Sequence, residues 1–93
     1  MPNLVVFSRA EKNFLKFSKV IQEQVWRAFD ELEKDPLNQK VKKLRNSKRG
    51  YRMRVGKYRI LFTFLKKEKE VHVVDIFMKK SPNDYLQRRK LIF

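Results

Sequence analysis

Gly50-Tyr51-Arg52-Met53-Arg54-Val55-Gly56-Lys57-Tyr58-Arg59-Ile60-Leu61-Phe62 is the stretch on which the fold turns. Its period is two. Tyr51, Met53 and Val55 point one way and Arg52 and Arg54 the other, and Tyr58, Ile60, Phe62 and Phe64 then alternate with Arg59, Leu61, Thr63 and Leu65. Alternation of this kind marks strands with one buried face, and Gly56-Lys57 between the two runs turns the chain. The reading is a β-hairpin with a half-basic face. Downstream, Lys66 to Glu70 reads as a charged turn and Val71 to Met78 as a third β-branched strand, which makes a three-stranded meander. Ser81-Pro82-Asn83-Asp84 then has the cap-then-proline layout of a helix start, predicting a short C-terminal helix through Leu91.

Upstream of the hairpin, residues 38–50 are polar, basic and closed by glycine, so they read as a loop tacked down by Val41 and Leu44. Before them the period is 3.6. Ile21, Val25, Ala28, Phe29 and Leu32 form one apolar stripe, opposed by Gln22, Glu23, Arg27, Asp30, Glu31 and Lys34, and Asp35-Pro36 stops the helix. Trp26 borders the stripe and is expected to pack between helices. An earlier helix is predicted from Ser8, where Ser8-Arg9-Ala10-Glu11 spells a capping box, with Phe14, Leu15 and Phe17 as its apolar contacts and a second start at Ser18 that leaves the two helices nearly continuous. Leu4 to Phe7 suits a buried strand. The whole is an α+β plan, an N-terminal strand and a two-helix hairpin packed on one face of a largely antiparallel sheet. The other sheet face is then free to work, and its candidates are Arg52, Arg54, Arg59, Leu61, Asp75 and Phe77.

At 93 residues the chain has room for a single domain, 1–93, with one small core. The absence of cysteine excludes a disulfide framework and thiolate metal sites, and a single histidine, His72, excludes a His-rich zinc centre. His72 falls inside a strand and reads as structural. No apolar run approaches a membrane span and the N-terminus lacks a signal layout, so the expectation is a cytoplasmic protein with no membrane partner. The charge is the most informative quantity: 24 Lys and Arg against 10 Asp and Glu give +14. Residues 1–37 hold six basic and six acidic side chains, so the entire excess lies on residues 38–93. Such a field selects polyanions, and nucleic acid leads because Lys and Arg displace counterions from phosphates.

The usual catalytic inventory is nearly empty: there is no Gly-rich phosphate loop, no cluster of metal-binding carboxylates and no Ser or Cys nucleophile with a histidine base. Chemistry must rest on Arg, Lys, Tyr and Asp75, with no metal or cofactor. Cleavage of RNA suits that set, because the substrate supplies its own nucleophile, the 2′-hydroxyl, and the protein orients it and stabilises the charge that develops on phosphorus.

The stretch Gly50 to Phe62 also resembles the central hairpin of the RelE/ParE toxin superfamily, in which a basic alternation and Val-Gly lead into Tyr-Arg-Ile or Tyr-Arg-Val. The preceding two-helix hairpin, the Asp35-Pro36 stop, the Lys43-Leu44-Arg45 loop and the C-terminal basic-then-Tyr segment agree, so the resemblance covers essentially the whole chain. It implies the toxin of a type II toxin–antitoxin pair, a RelE-like endoribonuclease that cleaves mRNA in the ribosomal A site and so inhibits translation. The implied site is Arg52, Arg54, Arg59, Lys79 or Lys80, and Tyr85, acting as transition-state clamp, phosphate grip and base-stacking or proton-handling group. Lys42, Lys43, Arg45, Lys48, Arg49 and Lys57 are the candidates for holding RNA phosphates. The implied partners are an acidic antitoxin, the ribosome and mRNA, with the toxin monomeric alone and in a larger complex with its antitoxin. Where many relatives carry Gly-His-Arg after the last strand, this chain has Phe77-Met78-Lys79-Lys80. The same resemblance leaves a ParE-like, non-catalytic inhibitor of DNA gyrase as the alternative, and a non-catalytic basic RNA-binding domain as a third reading.

Overall fold

The computed structural model describes residues 2–45, 47, 49–81, 84, 85 and 88. In chain order the elements are β1 (Asn3–Val6), α1 (Ser8–Lys16), α2 (Lys19–Lys34), β2 (Val41–Lys43), β3 (Gly50–Val55), β4 (Tyr58–Leu65) and β5 (Glu70–Met78). The architecture is α+β. One five-stranded sheet runs β1-β5-β4-β3-β2, antiparallel except where β1 lies parallel to β5. The hairpin registers as its alternation requires, Val55 opposite Tyr58 and Tyr51 opposite Phe62. Gly56 takes φ +58° at the first turn position, a left-handed conformation that glycine adopts without steric cost.

The core lies between the helices and one sheet face. Val25, Ala28, Phe29 and Leu32 of α2, with Ala10 of α1, are buried against Met53, Ile60, Phe62, Val71, Val73 and Ile76. The stripe of α2 is therefore realised, and the helix ends at Asp35 as proline demands. Ser18 caps α2, its hydroxyl accepting from the Ile21 N–H at 3.4 Å. Phe17 and Ser18 are both extended, so the helices are separate rather than nearly continuous. Gln22 reaches back across this break and donates to the Phe14 and Phe17 carbonyl oxygens, both at 3.1 Å, joining the Phe17 N–H that already closes the helix on the Phe14 carbonyl.

Four local expectations are corrected. The capping box at Ser8 does not form: α1 starts one residue earlier, with Phe7 in the cap position and no side-chain cap bond. Phe7 donates its N–H to the Val73 carbonyl at 2.9 Å, so the exit from the sheet sets where the helix begins. Leu15 faces solvent instead of the core, on the side of α1 away from Ala10. Trp26 touches Phe14 and Phe29 edge-on at 5.7 and 5.8 Å, yet it is 58% exposed and covers the helix pair from outside rather than filling a space within it. The loop 38–50 contains β2, which pairs antiparallel with β3 through Val41 and Met53. Backbone pairing makes this edge strand, and its two lysines are what an edge needs to resist further pairing.

Candidate nucleic-acid interface

Along β3 and β4 the residues that do not face the helices are Arg52 and Arg54 on one strand and Leu61 and Arg59 on the other, in direct register. β2 brings Lys42 opposite Arg52. Lys79 follows β5 and is tied to the tip of the hairpin, its N–H donating to the Lys57 carbonyl at 2.9 Å. Together Arg52, Arg54, Arg59, Lys42, Lys79 and the ring of Tyr85 line a cleft of about 250 Å³, joined by Gln39 and Lys40. No carboxylate among the described residues lines it. Lys40 is paired with Glu31 of α2 at 3.1 Å, so Arg52, Arg54, Arg59, Lys42 and Lys79 set the field in a space the size of a small ligand, and that field favours an anion.

Tyr85 sits at the centre of this charge. The Arg52 guanidinium carbon lies 4.8 Å and the Lys79 ammonium 5.3 Å from its ring centroid, both within cation–π range. The ring edge meets Phe77 at 5.8 Å. Below it, Leu61, Val74 and Phe77 form a second small apolar cluster, covered by Leu44 and Tyr85. The sheet face expected to be free is therefore free only at its basic half, because the C-terminal segment folds over Leu61 and Phe77. Asp84 and Tyr85 are helical, and the rest of the expected C-terminal helix, Arg88 apart, lies outside the described residues. The start of this segment is held by Asp84, whose carboxylate accepts from the Lys80 and Ser81 N–H groups at 2.6 and 2.9 Å. Those two bonds stabilise the ionised form and lower its pKa below the usual 3.8.

Arg59 is positioned by the hairpin itself. Its guanidinium donates to the carbonyl oxygens of Gly56 at 2.9 Å and Tyr58 at 2.8 Å. Arg54 is exposed and Arg52 half-buried.

Of the expected site residues, Arg52, Arg54, Arg59, Lys79, Tyr85 and Lys42 come together. Lys80 does not: its side chain is exposed outside the cleft and only its N–H is used, by Asp84. Lys43 pairs with Tyr51 and so projects from the opposite face of β2. Arg45, Arg49 and Lys57 are exposed and lie off the cleft lining, and Lys48 falls outside the described residues. Asp75 is fully buried and is not part of the cleft lining, turned instead toward α1 and Arg88. Sequence reasoning passed over Lys40, although a signal exists. Lys40-Val41-Lys42 alternates, and the Lys40 carbonyl accepts from the Arg54 N–H at 3.1 Å, although the Lys40 ammonium turns to Glu31 of α2.

No family model matches the chain, and no curated protein matches it in sequence. Solved structures match it closely in shape. The isolated Escherichia coli RelE toxin superposes with a TM-score of 0.77 over 97% of each chain at 21% identity. The RelE–RelB complex of Pyrococcus horikoshii gives 0.74 at 21% identity, covering 83% of this chain and 93% of that one. The RelBE2 toxin–antitoxin complex of Mycobacterium tuberculosis gives 0.75 at 23% identity, covering 85% and 100%. The chain has the RelE toxin fold.

Proposed function

We propose that this chain, a RelE fold with a cationic cleft, is the toxin of a toxin–antitoxin pair and that it acts by cleaving mRNA on the ribosome. The cleft carries the reading: Arg52, Arg54, Arg59 and Lys79 converge around one exposed-edge tyrosine, without a neutralising carboxylate among the described residues. In-line attack of a ribose 2′-hydroxyl on the adjacent phosphorus breaks the bond to the 5′-oxygen and leaves a 2′,3′-cyclic phosphate and a 5′-hydroxyl. The phosphorus acquires extra negative charge on the way, and pre-oriented guanidinium groups stabilise that charge more than they stabilise the starting diester. Arg59, anchored to two carbonyl oxygens, is the group suited to this task. Arg52 and Arg54 grip flanking phosphates, and the Tyr85 ring offers a face on which a base stacks. Two of the structurally similar proteins were solved with their RelB antitoxins, which supports an antitoxin as the partner here. An acidic segment of such a partner would neutralise the cleft.

The test is a translating extract given the purified protein. Cleavage of mRNA within ribosome-bound codons, ending in cyclic phosphate, is the expected result. Intact mRNA with trapped gyrase–DNA complexes would transfer the protein to the gyrase-poison reading, and intact mRNA with simple ribosome or RNA binding to the non-catalytic one.

A further inference from the structure

We propose that Asp75 is a positioning residue for Tyr85: its buried carboxylate, acting through Arg88, holds the C-terminal turn that sets the tyrosine over the cationic cleft. The proposal rests on the reading above in so far as Tyr85 works on RNA.

Asp75 is the single fully buried charged residue among those described. Its place follows from an irregularity. Leu61 pairs with Asp75 and Phe62 with Val73, so Val74 is an extra residue in β5. Before the bulge Val71 and Val73 face the helices, and strict alternation would have sent Asp75 after them into the apolar core. The bulge resets the alternation, giving Ile76 to the core and placing Asp75 on the face of Leu61 and Phe77. β1 pairs with β5 only as far as Val73, so α1 reaches the strand beyond that point.

There the carboxylate is fully engaged. Oδ1 accepts from the Asn13 side-chain amide at 2.8 Å and from the Ile76 N–H at 2.9 Å. Oδ2 accepts from Arg88 Nε at 2.7 Å, and Arg9 Nε stands 3.3 Å away. A buried carboxylate is costly unless it is paired in this way, and apolar residues would pack the same space at least as stably, so the pair is better explained by what it positions. Arg88 makes that connection. Its Nη1 donates to the Asp84 carbonyl at 2.9 Å, its N–H donates to the Tyr85 carbonyl at 3.1 Å, and its guanidinium lies 3.7 Å from the centroid of Phe77, the ring against which Tyr85 rests. The side chain thus ties the Asp84 carbonyl, and with it the Asp84–Tyr85 peptide, to a fixed point in the sheet, and the backbone N–H of the same residue holds the Tyr85 carbonyl. Arg52 and Lys79 touch the Tyr85 ring but leave its backbone free.

The experiment compares wild type, Asp75→Asn, Arg88→Ala, the double variant and Arg9→Ala, using NMR of ¹³C-tyrosine-labelled protein alongside single-turnover cleavage and RNA affinity. Wild type and Arg9→Ala are expected to show NOEs between the Tyr85 and Phe77 rings. Asp75→Asn and Arg88→Ala should lose them and cleave about 10- to 100-fold more slowly once substrate is bound, with affinity within about twofold because the phosphate-gripping cations are untouched. The double variant should be no worse than either single, since one coupling is broken in all three. Intact NOEs in both single variants would overturn the proposal whatever the activity, as would lost NOEs with an unchanged cleavage rate. Should Asp75→Asn fail to fold, Arg88→Ala at the partly exposed end of the pair carries both readouts. If wild-type protein cleaves no mRNA, the function reading fails, and the NOE comparison still decides whether Asp75 positions Tyr85.

Discussion

Arg59 is fixed before any substrate arrives, because its two bonds to the turn carbonyls are made within the hairpin. A group that need not reorganise contributes most where charge develops, so Arg59→Ala should lower the cleavage rate by roughly 100-fold or more while RNA affinity changes little. Arg59→Lys keeps the charge but loses the two-pronged anchor, and most of that loss should remain. Single-turnover cleavage beside a filter-binding assay checks both, and an Arg59→Ala protein cutting at the wild-type rate would remove Arg59 from the mechanism. Tyr85→Phe refines the picture: an intact rate makes Tyr85 a stacking platform, and a large loss makes its hydroxyl an orienting or proton-handling group. The arginines were legible in the sequence by type and alternation, and the tyrosine only through the family resemblance. The distinction between Lys79, in the cleft, and Lys80, outside it, was not, because it depends on how the chain turns after β5 and on the Lys79 bond to Lys57.

Among the elements, two serines written alike behave differently. Ser18 caps α2 through Ile21, whereas Ser8 makes no cap bond, because Phe7 is already committed to Val73 in the sheet. Ser18→Ala should therefore cost about 0.5–1 kcal/mol, the low end for a cap given its length of 3.4 Å, and lower the melting temperature by about 2–8 °C. Ser8→Ala should stay within about 0.5 kcal/mol of wild type. Thermal unfolding of the pair checks this, and equal losses would mean that the sequence motif outranks the sheet contact. The hairpin and α2 were readable because each carries its full period locally, from Tyr51 to Phe64 and from Ile21 to Leu32. β2 was not, since three residues with one valine hold no period, and it exists only because β3 offers an edge.

At the scale of the molecule the charge is segregated by the fold. On the helices, which cover one side of the sheet, five acidic residues meet six basic ones and nearly cancel, while Arg52, Arg54, Arg59, Lys42 and Lys79 gather on the other side around one cleft. Binding to single-stranded RNA should then weaken linearly on a logarithmic salt plot with a slope of about −0.7 per phosphate, or about −3.5 if all five of these cations are engaged. Lys42→Ala should make the slope shallower by about 0.7. Isothermal titration across a salt series checks this, and an affinity independent of salt would mean that the cleft does not hold phosphates. No helix among the described residues is long and apolar enough to cross a membrane.

The period-two stretch from Gly50 to Phe62, the stripe of α2 and the one-sided charge were determined by sequence alone, because each is a local pattern whose physical consequence does not depend on distant partners. Which cations meet in one cleft was decided by tertiary structure, since register between β2, β3 and β4 aligns Lys42 with Arg52 and Arg54 with Arg59. The place of Asp75 was decided there too. The sequence reading sets it on the open sheet face beside Phe77, whereas the fold buries it there, and only the amide of Asn13 and the guanidinium of Arg88 give a buried carboxylate the partners it requires.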